Sequence, residues 1–158
     1  MNEQLSKQIE ESIKLELNVA ELYNLFATAF REDFDFWQEL CWEEKHHAHL
    51  IRTMKKPLLS SEEFPKELLS YSLENLIEVN NTLKSLIKKY NNKPPSRKDA
   101  FNIAISIEKS AGEIHYQHAM DVPFYLNYME IWQKLNEDDK NHVKRISAYM
   151  RIKRIESY

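Results

Sequence analysis

Two segments of this chain place a carboxylate and a histidine three residues apart, 95 positions from one another. Trp37-Gln38-x-Leu40-x3-Glu44-Lys45-x-His47-x3-Ile51 returns as Trp132-Gln133-x-Leu135-x3-Asp139-Lys140-x-His142-x3-Ile146. Residues three apart share a helix face, so Glu44 with His47, and Asp139 with His142, can each grip one metal ion. A weaker echo at an offset of 92 sets Ile13, Glu16, Glu21 and Ala27 against Ile105, Glu108, Glu113 and Ala119. Glu16 and Glu108 then stand where they can bridge two ions or complete their coordination. Either half alone supplies only three ligands, so the repeat points to a metal site built around a pseudo-two-fold axis.

Each of these polar residues occupies a position that its neighbours mark as core. Four carboxylates gathered there without cations would cost several kcal/mol each in desolvation, besides their mutual repulsion. They must therefore take up protons or bind metal. A set rich in oxygen and nitrogen suits iron or manganese, and zinc can occupy the same ligands. Glu43 and His46 offer an alternative register of the same motif, but they fall off the Trp37, Leu40, Ile51 stripe and should face solvent or a neighbouring helix edge.

The elements that must position these side chains are helices. Ile9, Ile13, Glu16, Ala20, Tyr23, Ala27 and Phe30 recur at alternating spacings of four and three, predicting a helix from about Asn2 to Ala29. A short acidic turn around Glu32 to Asp35 leads to a second helix with the stripe Trp37, Leu40, Glu44, His47, Ile51 and Met54, ended by Pro57. So short a turn makes the two helices antiparallel neighbours. The long connection from Pro57 to Pro95 carries an apolar pattern from Leu73 to Tyr90 and reads as a crossover helix. Pro94, Pro95 and the Ser96-x-x-Asp99 cap open a third long helix with the stripe Phe101, Ile105, Glu108, Gly112, His115 and Ala119. Asp121 and Pro123 mark a tight turn into the last, with Trp132, Leu135, Asp139, His142, Ile146 and Tyr149. The expected fold is all-α: a four-helix bundle of two hairpins joined by a long crossover containing a short helix.

With 158 residues the chain is read as one domain, 1–158. A formal charge of −3 gives no reason to expect a polyanion, and the basic run from Lys144 to Arg154 is broken by apolar residues that make it a solvated helix face. Nucleic acid is therefore not an expected partner. The lone Cys41 excludes an intrachain disulfide and a Cys-x-x-Cys iron module within these residues, and fits a reducing compartment. No leader-like or bilayer-length apolar run occurs in the sequence, so no membrane partner and a cytoplasmic location are expected.

At Leu15-Glu16 followed by Tyr23, at Leu40-Cys-Trp-Glu-Glu44-Lys-His-His47-Ala48, at Ile107-Glu108 and at Leu135-Asn-Glu-Asp-Asp139-Lys-Asn-His142, the chain resembles the ferritin-like superfamily. The resemblance is closest to the rubrerythrin-like diiron-carboxylate proteins. It implies two iron ions held by Glu16, Glu44, His47, Glu108, Asp139 and His142, and redox chemistry with dioxygen or peroxide, as in an oxidoreductase. Three departures stand out: Asp139 replaces the usual Glu, Ala111 replaces a further Glu, and a rubredoxin-like module is missing. Electrons are then expected from a separate donor protein.

Tyr23 and His115 are candidates for outer partners of the ligands, although packing accounts for Tyr23 and a satisfied core histidine for His115. His115 stands two turns, roughly 10 Å, beyond Glu108, too far to share its ion easily. His46, His49 and His118 read as surface or edge residues, Trp37 and Trp132 as core caps, and Cys41 as apolar packing. Two other functions fit the same residues: iron binding, ferroxidase or metal buffering without substrate turnover, and a metal-free structural bundle. A homodimer through the apolar face of the crossover helix is a further expectation.

Overall fold

The computed structural model describes residues 3–60, 72–109 and 129–158, and within them not the side chains of 54, 57, 58, 60, 129–136 and 138–140. The positions read above as Gly112, His115, His118, Ala119, Asp121 and Pro123 lie outside the described residues, as do the side chains of Trp132, Leu135 and Asp139. Every described element is helical: α1 Glu3–Ala29, a 3-10 turn Arg31–Asp33, α2 Phe34–Ser60, α3 Leu73–Asn92, α4 Arg97–Glu108 and α5 Met129–Lys153. No strand occurs among the described residues.

In α1 the stripe of Ile9, Ile13, Glu16, Ala20, Tyr23 and Ala27 is buried, as the spacing requires of an amphipathic helix facing a core. The chain then turns through Phe30, whose N–H donates to the Phe26 carbonyl at 2.9 Å while its own carbonyl accepts from Asp33 N–H at 3.0 Å. Trp37, Leu40, Glu44, His47 and Ile51 are the buried stripe of α2. This helix does not stop at Pro57 but runs on to Ser60. A proline this near a helix end forfeits one backbone donor without forcing the last turn open.

Cross-helix contacts fix the directions. Gln38 donates to Asn24 at 2.9 Å near the turn, and Lys55 pairs with Glu10 at the far end, so α2 returns antiparallel along α1. Ser72 caps α3 by accepting from Asn75 N–H at 3.3 Å. A buried amide pair, Asn18 to Asn80 at 2.9 Å, and the Phe26–Tyr90 ring contact at 6.4 Å set α3 parallel to α1. The crossover helix is thus longer than the apolar pattern alone suggested, with 20 residues that span about 30 Å and carry the chain back to the end where α2 began.

There Ser96 caps α4, accepting from Asp99 N–H at 3.1 Å. Arg97 grips buried Asp33 with two hydrogen bonds of 2.8 and 2.7 Å, and the Tyr149 hydroxyl donates to the same carboxylate at 2.8 Å. This knot ties the start of α4 and the end of α5 to the turn after α1. From it α4 and α5 run side by side in opposite directions, with Phe101 against Tyr149 near the knot and Glu108 near His142 farther along. Tyr23, Phe26, Trp37 and Phe101 form the aromatic centre of the core, each fully buried. No described helix is long and apolar enough to cross a membrane.

Candidate metal centre

Two turns beyond that aromatic layer, the stripes turn polar. Glu16 comes from α1, Glu44 and His47 from α2, Glu108 from the last turn of α4 and His142 from α5, and none is more than 2% exposed. Ligand atoms of Glu16, Glu44 and His47 all lie within 4.8 Å of one another, as do those of Glu44, Glu108 and His142. Glu44 belongs to both groups. One of its oxygens, Oε2, is 3.2 Å from His47 Nδ1, and the other, Oε1, is 2.9 Å from His142 Nδ1. Glu16 Oε2 lies 3.5 Å from His47 Nδ1, and Glu108 Oε2 lies 3.5 Å from His142 Nδ1. The spacing alone left Glu16 and Glu108 either to bridge two ions or to complete their coordination. Here the carboxylate common to both groups is Glu44.

Among the described residues, both oxygens of Glu16, Oε1 of Glu44, Oε2 of Glu108 and Nδ1 of His142 make no hydrogen bond of normal geometry, although all are buried. Buried polar atoms are nearly always satisfied, so a cluster of such atoms aimed at one another needs an explanation. Two cations fit it. The donors are carboxylate oxygens and imidazole nitrogens, they converge from four helices, and each group of three leaves room in a coordination shell. The side chain of Asp139, read from the sequence as a further ligand, lies outside the described residues.

The electrostatics of the metal-free cluster show how it holds itself together. Burial pushes the Glu16 carboxyl up to about 8, with Glu44 adding repulsion against the attraction of His47. Burial likewise raises Glu108. For Glu44 burial acts in the same direction but is outweighed by His142 and His47, which hold it well below the usual carboxylate range. Burial opposes charge on His47, yet Glu16 and Glu44 carry it up to about 11. His142 is raised well above its ordinary value, against burial, by Glu44, Glu108 and Glu43. In the metal-free site burial thus favours protons on the outer carboxyls, Glu16 and Glu108, while the shared carboxylate of Glu44 favours charge on both imidazoles.

Tyr23, a candidate outer partner with packing as its alternative, donates its phenol hydrogen bond to Glu108 Oε1 and meets Trp37 in a tilted ring contact, centroids 5.5 Å apart. One partner was not legible as such. Glu43, set aside as off the stripe, accepts from or shares a proton with His142 Nε2 at 2.6 Å and takes two hydrogen bonds from Arg145. The clue available in sequence was the i, i+3 pair His142 and Arg145 facing a carboxylate on the edge of α2, but that facing depends on packing. Cys41 is buried and its thiol is raised by burial, which suits packing and not thiolate chemistry. His46 and His49 are exposed, and so is Glu21 of the weaker echo.

Comparison of the chain with protein-family models, with curated proteins and with solved structures returns no significant match.

Proposed function

We propose that this chain is a ferritin-like, rubrerythrin-like protein with a non-haem dimetal centre, diiron in its working form. One observation carries the reading: a single buried carboxylate, Glu44, is shared by two Glu-and-His groups. A four-helix bundle of two antiparallel pairs, α1–α2 and α4–α5, with α3 as the crossover, is the frame in which such a site is held. His47 and His142 would be the terminal nitrogen ligands, Glu16 and Glu108 the terminal carboxylates of their respective halves, and Glu44 the bridge, with Asp139 as a further ligand.

Two ferrous ions bound there would supply the electrons for reduction of dioxygen or peroxide. The chain's own part is to hold the ions, exclude bulk water and store charge. Glu16 and Glu108 are raised by burial in the metal-free protein, so cations would compete with protons at these two groups. Because the five described ligands are buried, small oxidants and not bulky organic molecules are the matching substrates. Reducing equivalents would have to come from outside these residues, since their one cysteine, Cys41, offers no iron–sulfur or rubredoxin site.

The test is metal content per chain on tag-free protein after anaerobic loading with ferrous iron and desalting. About two irons per chain is the expected result. No retained iron would sink the proposal and leave a polar core stabilised by protons alone. Peroxide consumption with an added electron donor then separates an oxidoreductase from a protein that only stores or buffers metal.

A further inference from the structure

The imidazole of His142 has its two nitrogens in different surroundings. Nδ1 points at Glu44 Oε1, 2.9 Å away, and at Glu108 Oε2, 3.5 Å away. Nε2, on the opposite edge of the ring, meets Glu43 Oε2 at 2.6 Å. Glu43 is itself clamped: Arg145 Nη1 donates to its two oxygens at 2.8 and 2.7 Å. Arg145 is held in turn by Glu39, whose Oε2 lies 3.2 Å from Nη2. Glu39 and Glu43 are one helical turn apart on the edge of α2, and His142 and Arg145 are one turn apart on α5, so the two pairs meet as matched faces. Glu43 is a third exposed at its side chain while His142 is fully buried, which places this carboxylate on the solvent side of the ring, away from the cluster.

A neutral imidazole has one lone pair to give a cation, and the nitrogen that gives it is decided by where the other nitrogen keeps its proton. Glu43 is an acceptor fixed at Nε2 by Arg145. We infer that Glu43 is a positioning residue for the dimetal centre: it holds the Nε2 proton of His142, presents Nδ1 as the ligating atom, and makes that nitrogen a stronger donor. The inference rests on the dimetal reading and assigns a role to a residue outside the ligand set. Arg145 serves it by keeping Glu43 turned to the ring and neutralising its charge, so that Glu43 does not compete as a ligand. Carboxylate partners of this kind are worth about 10- to 100-fold in metal affinity where they have been removed from other sites.

The probe is cobalt(II), titrated into the metal-free protein and followed by its visible absorption. Glu43→Ala should weaken one of two binding steps by about 10- to 100-fold, and Glu43→Gln, whose amide oxygen still accepts from Nε2–H, should recover most of the loss. Glu39→Ala, which leaves the Glu43 contact to the ring intact, should bind as the unaltered protein does. Equal cobalt affinity in Glu43→Ala and the unaltered protein would overturn the inference and leave the dimetal reading standing. Failure of the unaltered protein to bind cobalt would overturn both. If Glu43→Ala does not fold, nitrogen-15 spectra of the histidines in the unaltered, zinc-loaded protein decide the matter. A His142 ring protonated at Nε2 and metal-bound at Nδ1 supports the assignment, and the opposite tautomer refutes it.

Discussion

The rings of His47 and His142 lie nearly parallel, 19° apart in plane and 5.6 Å between centroids, although 95 residues separate them in sequence. Glu44 reaches the Nδ1 of each. One carboxylate thus lies against both rings, and a cation at either ring has that carboxylate within reach.

Substitution at Glu44 should therefore act on both ions, and substitution at Glu16 on one. Glu44→Ala is expected to lose both irons, whereas Glu16→Ala should retain about one per chain, since the group of Glu44, Glu108 and His142 survives intact. Elemental analysis of desalted protein decides it. One iron retained by Glu44→Ala would show that the two groups do not depend on a common bridge. In the absence of metal, Glu44→Gln should also destabilise the fold by about 3–5 kcal/mol, as removing one partner from a buried charge cluster does.

The metal-free site should be most stable in mild acid. Glu16, raised to about 8, favours the folded state fully below its unfolded value of 4.5, and that contribution is lost as pH rises through about 8. His47, raised to about 11, contributes fully below 6.5 and loses its contribution as pH rises through about 11. Glu44 is depressed, so its contribution is present above 4.5 and fades only toward more acid pH. The melting temperature of the metal-free protein should thus fall as pH is raised from about 5 to 9. Metal affinity should move the other way, because Glu16 and His47 must each release a proton to bind. Calorimetry in buffers of different ionisation enthalpy should record that release on metal addition. A metal-free melting temperature that climbs over this range would contradict the charge arrangement.

Tyr23→Phe should separate support from ligation. The change removes the hydroxyl that donates to Glu108 and leaves the ring in its tilted contact with Trp37. Loss of a single hydrogen bond to a buried carboxyl should cost about 1–2 kcal/mol in urea unfolding. Iron content should stay at the level of the unaltered protein. A fall in iron content equal to that of Glu108→Ala would place the tyrosine among the ligands.

Much of the centre was legible because burial of a helix follows from periodicity. Glu16, Glu44, His47, Glu108 and His142 interrupt apolar stripes, and a stripe faces the core whatever its residues are, so their burial was already contained in the spacing of Ile9, Ile13 and Ala20 or of Trp37, Leu40 and Ile51. The helix starts were legible for an equally local reason: Ser96 caps its helix through a bond to a residue three positions away. Pro57 was misread as a stop because a sequence signal marks a missing donor and not the packing around it.

What periodicity cannot carry is the lateral position of one helix against another. Stripes at 4,3 spacing state that Glu44 points inward, and only the packing of α5 across α2 brings His142 to one of its oxygens and His47 to the other. The same docking turns Glu43 from an edge carboxylate into the partner of His142, and the approach of α1 to α4 gives Tyr23 its bond to Glu108. The residue types and their faces were thus determined by the sequence alone, through interactions within a turn or two of one helix. Which carboxylate is shared, and which groups support the ligands, was decided only by tertiary structure, because those relations depend on rotations and offsets between helices to within a few ångströms.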